Sequence, residues 1–132
     1  MASITGTTSS DNLTGTGNSD EITGLAGSDS ISALGGADLV YGNQGADTLL
    51  GAAGADTLFG GQDSDIIDGS DGNDVIYGNL GNDLMSGAGD SDTLFGGQGN
   101  DTISAGSGTD IVYGNLGNDT VEAGDGSDQV FG

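Results

Sequence analysis

Gly96-Gly97-Gln98-Gly99-Asn100-Asp101-Thr102-Ile103-Ser104 decides how the rest of the chain is read. Two adjacent glycines open it, and a third stands two residues before an aspartate. Glycine takes left-handed backbone without steric cost, so this half reads as a turn. Thr102-Ile103-Ser104 sets one β-branched aliphatic between small polar residues and reads as a short strand with one inward side chain.

The same unit of nine recurs through the chain without a gap. Aspartate stands at Asp11, Asp20, Asp29, Asp38, Asp47, Asp56, Asp65, Asp74, Asp83, Asp92, Asp101, Asp110, Asp119 and Asp128. Two residues after each comes an aliphatic side chain or Met: Leu13, Ile22, Ile31, Val40, Leu49, Leu58, Ile67, Ile76, Met85, Leu94, Ile103, Val112, Val121 and Val130. Ile4 joins that column, with Ala2 in the aspartate's place. One glycine column lies two residues before the aspartate, at Gly27, Gly36, Gly45, Gly54, Gly72, Gly81, Gly99, Gly108, Gly117 and Gly126. Ser9, Asn18, Asp63 and Asp90 replace glycine there. A second column lies five before, at Gly24, Gly42, Gly51, Gly60, Gly69, Gly78, Gly87, Gly96 and Gly114. Acidic, glycine-rich chains with few aromatics are usually disordered, but a disordered tail has no reason to hold a register.

These residues resemble the RTX (repeats-in-toxin) nonapeptide family, whose G-G-x-G-x-D-x-U-x motif residues 96–104 match at every position. The resemblance covers nearly the whole chain and reads as a single domain over residues 1–132, with weaker repeats over 1–20. The departures cluster at Gly6–Asp11 and Gly15–Asp20. A turn of about six residues and a strand of about three make two nonapeptides per coil, stacking strands at about 4.8 Å. The expected fold is therefore all-β: a parallel β-roll, a two-sheet β-solenoid of about 15 short strands from Ile4 to Val130, without terminal caps.

The 18-residue coil stacks Asp20 to Asp128 down one edge and Asp11 to Asp119 down the other. The chain has a formal net charge of −21 and contains no Lys, Arg or His, so nothing within it can neutralise those columns. Without His or Cys, zinc, copper and iron lack their usual ligands, and any metal must be held by oxygen. Ca²⁺ takes six to eight oxygens and accepts backbone carbonyls, whereas Mg²⁺ demands small octahedral sites. The resemblance implies that each register aspartate bridges two ions and that carbonyls of the two glycine columns complete the shell. Six gaps per edge would hold about 12 Ca²⁺. One inward aliphatic per nine residues cannot offset the ordering of nine residues of backbone, so metal binding is expected to supply the folding free energy. A metal-free solenoid held by Asp or Asn ladders is the competing account.

Missing basic residues argue against nucleic-acid binding, and no run approaches the about 18 apolar residues of a membrane insertion. Met1-Ala2-Ser3-Ile4-Thr5 has neither the basic nor the apolar region of a Sec-type signal. An enzyme is not expected, because there is no His, Cys, Lys or Arg to act as base, nucleophile or clamp and the register aspartates are committed to metal, which leaves the off-register Asp63, Asp68, Asp71, Asp90 and Asp125 to pair as acid and base. Ice binding would need a regular ladder, yet the residues preceding the aspartates mix Ser, Ala, Asn and Thr.

All six aromatics fall three residues after a register aspartate at 18-residue intervals: Tyr41, Phe59, Tyr77, Phe95, Tyr113 and Phe131. Strand alternation turns them outward on one sheet beside Leu39, Val75 and Ile111. The other sheet carries Thr14, Ser32, Leu50, Asp68, Ser86, Ser104 and Glu122 at the equivalent places and is expected to be mostly polar. The stripe reads either as an interface with another molecule or as a ladder that stabilises itself.

Uncapped edges would let copies pair head to tail, and a pairing that does not close gives a filament. The first expectation is therefore an extracellular, Ca²⁺-dependent structural protein with itself as partner, end to end and laterally. The second is a Ca²⁺-binding, secretion-assisting module of a larger secreted enzyme, toxin or adhesin. For either, the resemblance implies type I secretion and folding outside the cell or at its surface.

Overall fold

The computed structural model describes residues 1–132 and contains fifteen strands and no helix. They are β1 (Ser3–Thr5), β2 (Asn12–Thr14), β3 (Glu21–Ala26), β4 (Ser30–Ser32), β5 (Leu39–Gln44), β6 (Thr48–Ala53), β7 (Thr57–Gln62) and β8 (Ile66–Asp71). There follow β9 (Val75–Leu80), β10 (Leu84–Gly89), β11 (Thr93–Gln98), β12 (Thr102–Gly108), β13 (Ile111–Leu116), β14 (Thr120–Gly126) and β15 (Gln129–Phe131). Odd-numbered strands form an eight-stranded sheet and even-numbered strands a seven-stranded one. All pairs are parallel and offset by one coil, as in Ile76↔Leu94 and Met85↔Ile103. The chain is thus the parallel two-sheet β-solenoid that its repeat implies.

Strand length departs from expectation. Only β1, β2, β4 and β15 have three residues, while most others have six. The inward position after each outward third residue is glycine or alanine, so the chain bends there without leaving the ladder. Asn43 pairs with Gly61 and Gln44 with Gln62 beyond the bend, although Asn43 and Gly61 have φ of 81° and 127°.

Each strand from β3 to β13 buries one aliphatic or Met side chain, from Ile22 to Val112, and Ala33 and Ala105 join them in a 13-residue core. Ile4, Leu13 and Val121 are half-buried at its two ends. Side-chain oxygens of the residues preceding the aspartates brace the stack at the edges. Ser10 Oγ accepts the Ser28 N–H at 3.1 Å, and Asn82 and Asn100 accept the Asn100 and Asn118 N–H groups at 2.7 and 2.8 Å. The Ser and Asn of that column therefore have an internal use.

Candidate metal centre

Every register aspartate from Asp20 onward turns one oxygen along the stack. Its Oδ1 accepts the backbone N–H of the residue 18 positions earlier, as in Asp47→Asp65 and Asp74→Asp92 at 2.8 Å. The series begins at the Ala2 N–H on Asp20, at 2.7 Å, and ends at the Asp110 N–H on Asp128, at 3.0 Å. Asp20 through Asp110 are buried in register, eleven carboxylates inside a tube that has no basic side chain.

The second oxygen is the exposed weakness of this arrangement. Oδ2 of Asp29, Asp38, Asp47, Asp56, Asp65, Asp74, Asp83, Asp92, Asp101 and Asp110 is buried and meets no donor. Leaving a charged group so is costly, and the group responds by holding a proton or a cation. Burial pushes Asp47, Asp56 and Asp83 up to about 6 and Asp65 and Asp92 up to about 7, against the N–H bond that would lower them. The like charges one coil away raise Asp65 and Asp92 further. Asp38, Asp74 and Asp101 are raised as well, again chiefly by burial.

The orphan oxygens face a second set of oxygens. A methyl group on Gly96 would lie 2.5 Å from Asp101 Oδ2 and 2.7 Å from the Gly114 carbonyl oxygen; on Gly51 it would meet Asp56 Oδ2 at 2.6 Å and the Gly69 carbonyl at 2.9 Å. Carboxylate and carbonyl thus converge beside these inward glycines, in space that a side chain would fill. Gly24, Gly42, Gly60, Gly78 and Gly87 repeat the arrangement, Gly87 with the Ala105 carbonyl. No point gathers three or more acidic side chains. A cation here would be held by few carboxylates together with backbone carbonyl oxygen, which suits Ca²⁺ and its tolerance for carbonyls.

The other glycine column serves close approach. A Cβ on Gly45 or Gly54 would collide with the carbonyl of Gly27 or Gly36 in the preceding coil. Gly27, Gly36, Gly72, Gly81, Gly99, Gly108, Gly117 and Gly126 share the left-handed φ, as do Asp63 and Asp90, which replace glycine in this column. Sequence reasoning missed a further left-handed column four residues before the aspartates. It holds Leu25, Leu34, Ala52, Ser70, Ala88 and three asparagines besides glycine. It also missed Ala33 and Ala105, whose carbonyls take the place of an inward glycine's. Only their position in the register, not their residue type, could have pointed to them.

The first two turns are built differently. Thr7 donates to Asp11 Oδ2 through its N–H at 2.6 Å and its hydroxyl at 2.9 Å. Thr16 treats Asp20 Oδ2 the same way, at 2.6 and 2.7 Å. Each hydroxyl oxygen also accepts an N–H, from Ser9 and Asn18 respectively, at 3.2 Å. Thr7, Ser9, Thr16 and Asn18 all lack the left-handed φ of their columns. The Ala2 N–H and the Thr16 donors hold the Asp20 carboxyl below its ordinary value, opposite to the interior aspartates.

The six aromatics stack face to face along the eight-stranded sheet, with centroids 4.7–5.0 Å apart and planes within 13°. Their faces cover one another, leaving ring edges and tyrosine hydroxyls to face outward, and only Phe131 counts as exposed, at 44%. The opposite sheet is less polar than its third positions suggest. Ile66 and Leu84, paired neighbours in β8 and β10, are 51% and 50% exposed, beside the exposed Leu50 of β6.

A two-sheet parallel roll with buried aspartate columns and inward carbonyls defines a metal-binding repeat protein. The RTX calcium-binding nonapeptide repeat, in a four-copy model, matches residues 5–40, 14–49, 41–76, 50–85, 59–94, 86–121 and 104–132. The chain belongs to this family, whose repeats bind Ca²⁺ and are typical of secreted proteins. No protein of curated function matches the chain.

Proposed function

We propose that this is an extracellular Ca²⁺-dependent structural protein, whose register aspartates and inward glycine carbonyls hold ions between successive coils and which at neutral pH folds only as they bind. One observation carries the reading: ten buried carboxylate oxygens have no donor in a chain with no cationic side chain. A proton or an inorganic cation must meet them, and at neutral pH Ca²⁺ outside the cell is the abundant candidate. A chain exported unfolded would then fold on arrival.

Assembly extends the same reading. The terminal strands β1 and β2 at one end and β14 and β15 at the other have unpaired edges, so a second copy continues both sheets. The rim of ring edges from Tyr41 to Phe131 offers lateral contact. Membership of a family typical of secreted proteins supports the second reading, a module whose edges neighbouring segments cover.

Far-ultraviolet circular dichroism with EGTA and with millimolar Ca²⁺ tests the folding claim: disorder in the first and β structure in the second is the expected outcome, and equal β content in both sinks it. Negative-stain microscopy of the 132-residue chain separates the assembly readings, with Ca²⁺-dependent filaments expected for the first and dispersed particles for the second.

A further inference from the structure

We infer that the first coil, residues 1–20, takes no metal because Thr7 and Thr16 stand in for the cation, so that the ion columns begin at Asp29 and Asp38. This rests on the calcium reading and adds to it which turns carry ions.

The donor sets differ in kind. Asp11 Oδ2 and Asp20 Oδ2 each receive an N–H and an O–H from one threonine, at 2.6–2.9 Å. Those four bonds occupy the oxygen that is orphaned in each of the next ten aspartates. A cation could reach Asp11 or Asp20 Oδ2 only by displacing both donors. The backbone agrees. Left-handed residues four and two positions before the aspartate shape every turn from Leu25-Ala26-Gly27 to Gly124-Asp125-Gly126, and neither occurs before Asp11 or Asp20. The Gly24 carbonyl still faces Asp11 Oδ2 beside Gly6 as in the coils behind, so what sets the first turn apart is the donors on that oxygen and the turn's backbone.

Charge explains why threonine suffices here and not farther in. One coil before Asp20 stands Ala2, so this carboxylate faces a like charge on one side only, whereas Asp65 lies between Asp47 and Asp83. Two neutral donors satisfy a carboxylate with one charged neighbour; a continuous column needs positive charge. The count is also consistent. Each of the ten orphan oxygens, from Asp29 to Asp110, is followed by another coil, and ten divalent ions would set +20 against the formal −21. The metal-free coil then presents β1 and β2 as edges on which the first ion-bearing strands, β3 and β4, pair.

The test is an ion count by native mass spectrometry at saturating Ca²⁺. Ten ions are expected on the wild-type chain, and two more on the variant T7G/S9G/T16G/N18G, which restores glycine to both columns of the first two turns. A wild-type count already two higher, or no gain in the variant, overturns the inference. Should the variant not fold, hydrogen exchange in the wild-type calcium form decides: slowed exchange at the Thr7 and Thr16 amides supports it, and free exchange overturns it. A chain that binds no Ca²⁺ fails the earlier reading and takes this one with it, whereas the higher wild-type count leaves that reading standing and removes only this one.

Discussion

The first coil and the coils behind it share one register and one topology, yet they satisfy the same carboxylate in opposite ways. Asp20 is met by the Ala2 N–H and by Thr16 and held below its ordinary pKa, while Asp65 Oδ2 meets no donor and burial pushes the carboxyl up to about 7. Hydrogen bonds to the charged form lower a carboxyl, and burial without a partner raises it. Position in a periodic sequence therefore does not determine chemistry. Thr16, standing where Asn79 or Gly97 stands later, gives Asp20 Oδ2 donors that the interior aspartates lack.

The largest test of that contrast is collective and uses pH. For Asp47, Asp56, Asp65, Asp83 and Asp92 the folded value, about 6 to about 7, lies above the ordinary 3.8. Between those limits the folded chain holds more protons than the unfolded one, so the metal-free roll gains stability as pH falls and loses it as pH rises through the folded values. Asp20 runs the other way: its lowered value favours the fold above 3.8, a contribution lost only as pH falls through the folded value. Calcium-free protein is expected to gain β structure in circular dichroism between about pH 7 and about pH 4.5, while the Ca²⁺ midpoint moves to higher concentration. A flat response would remove the contrast.

Single aspartates sharpen it. Asp74→Ala takes a ligand from the middle of a column and leaves its partners' charges unbalanced; a loss of about 3–5 kcal/mol, read from Ca²⁺-dependent thermal melts, is the expectation. Asp11→Ala removes only two threonine bonds on a half-buried residue, about 1 kcal/mol. Equal effects would mean that both coils use their carboxylates alike.

The aromatic ladder offers a milder version of the same comparison between interior and end. Phe95→Ala breaks two stacked pairs, with Tyr77 and Tyr113, and should cost about 2–3 kcal/mol. Phe131→Ala breaks one pair and should cost about half as much in the same melts. The smallest effect concerns backbone. Leu34→Gly relieves a left-handed φ of 78° on a bulky residue and should stabilise by up to about 1 kcal/mol. Thr16→Gly, which removes the hydroxyl donor to Asp20 Oδ2 and keeps the backbone one, should instead destabilise in the same melts.

Much was legible without coordinates because the fold is periodic. The aspartate, aliphatic and aromatic columns at multiples of nine became the edges, the core from Ile22 to Val112 and the ring ladder. What escaped was conformational. The letters marked the turns before Asp11 and Asp20 as departures, through Ser9 and Asn18, but not that Leu25 and Ala52 turn left-handed where Thr7 and Thr16 do not. Nor did strand alternation show that ring faces spend themselves on one another while Ile66 and Leu84 stay open on the other sheet.

By itself the sequence settled the coil length, the pairing of strands and the absence of any internal counter-charge, since each follows from spacing and composition alone. Only the tertiary structure decided which carboxylate oxygens are left without a partner. That depends on where a neighbouring turn places its N–H and O–H groups, within a few tenths of an ångström, and no one-dimensional register contains such a distance.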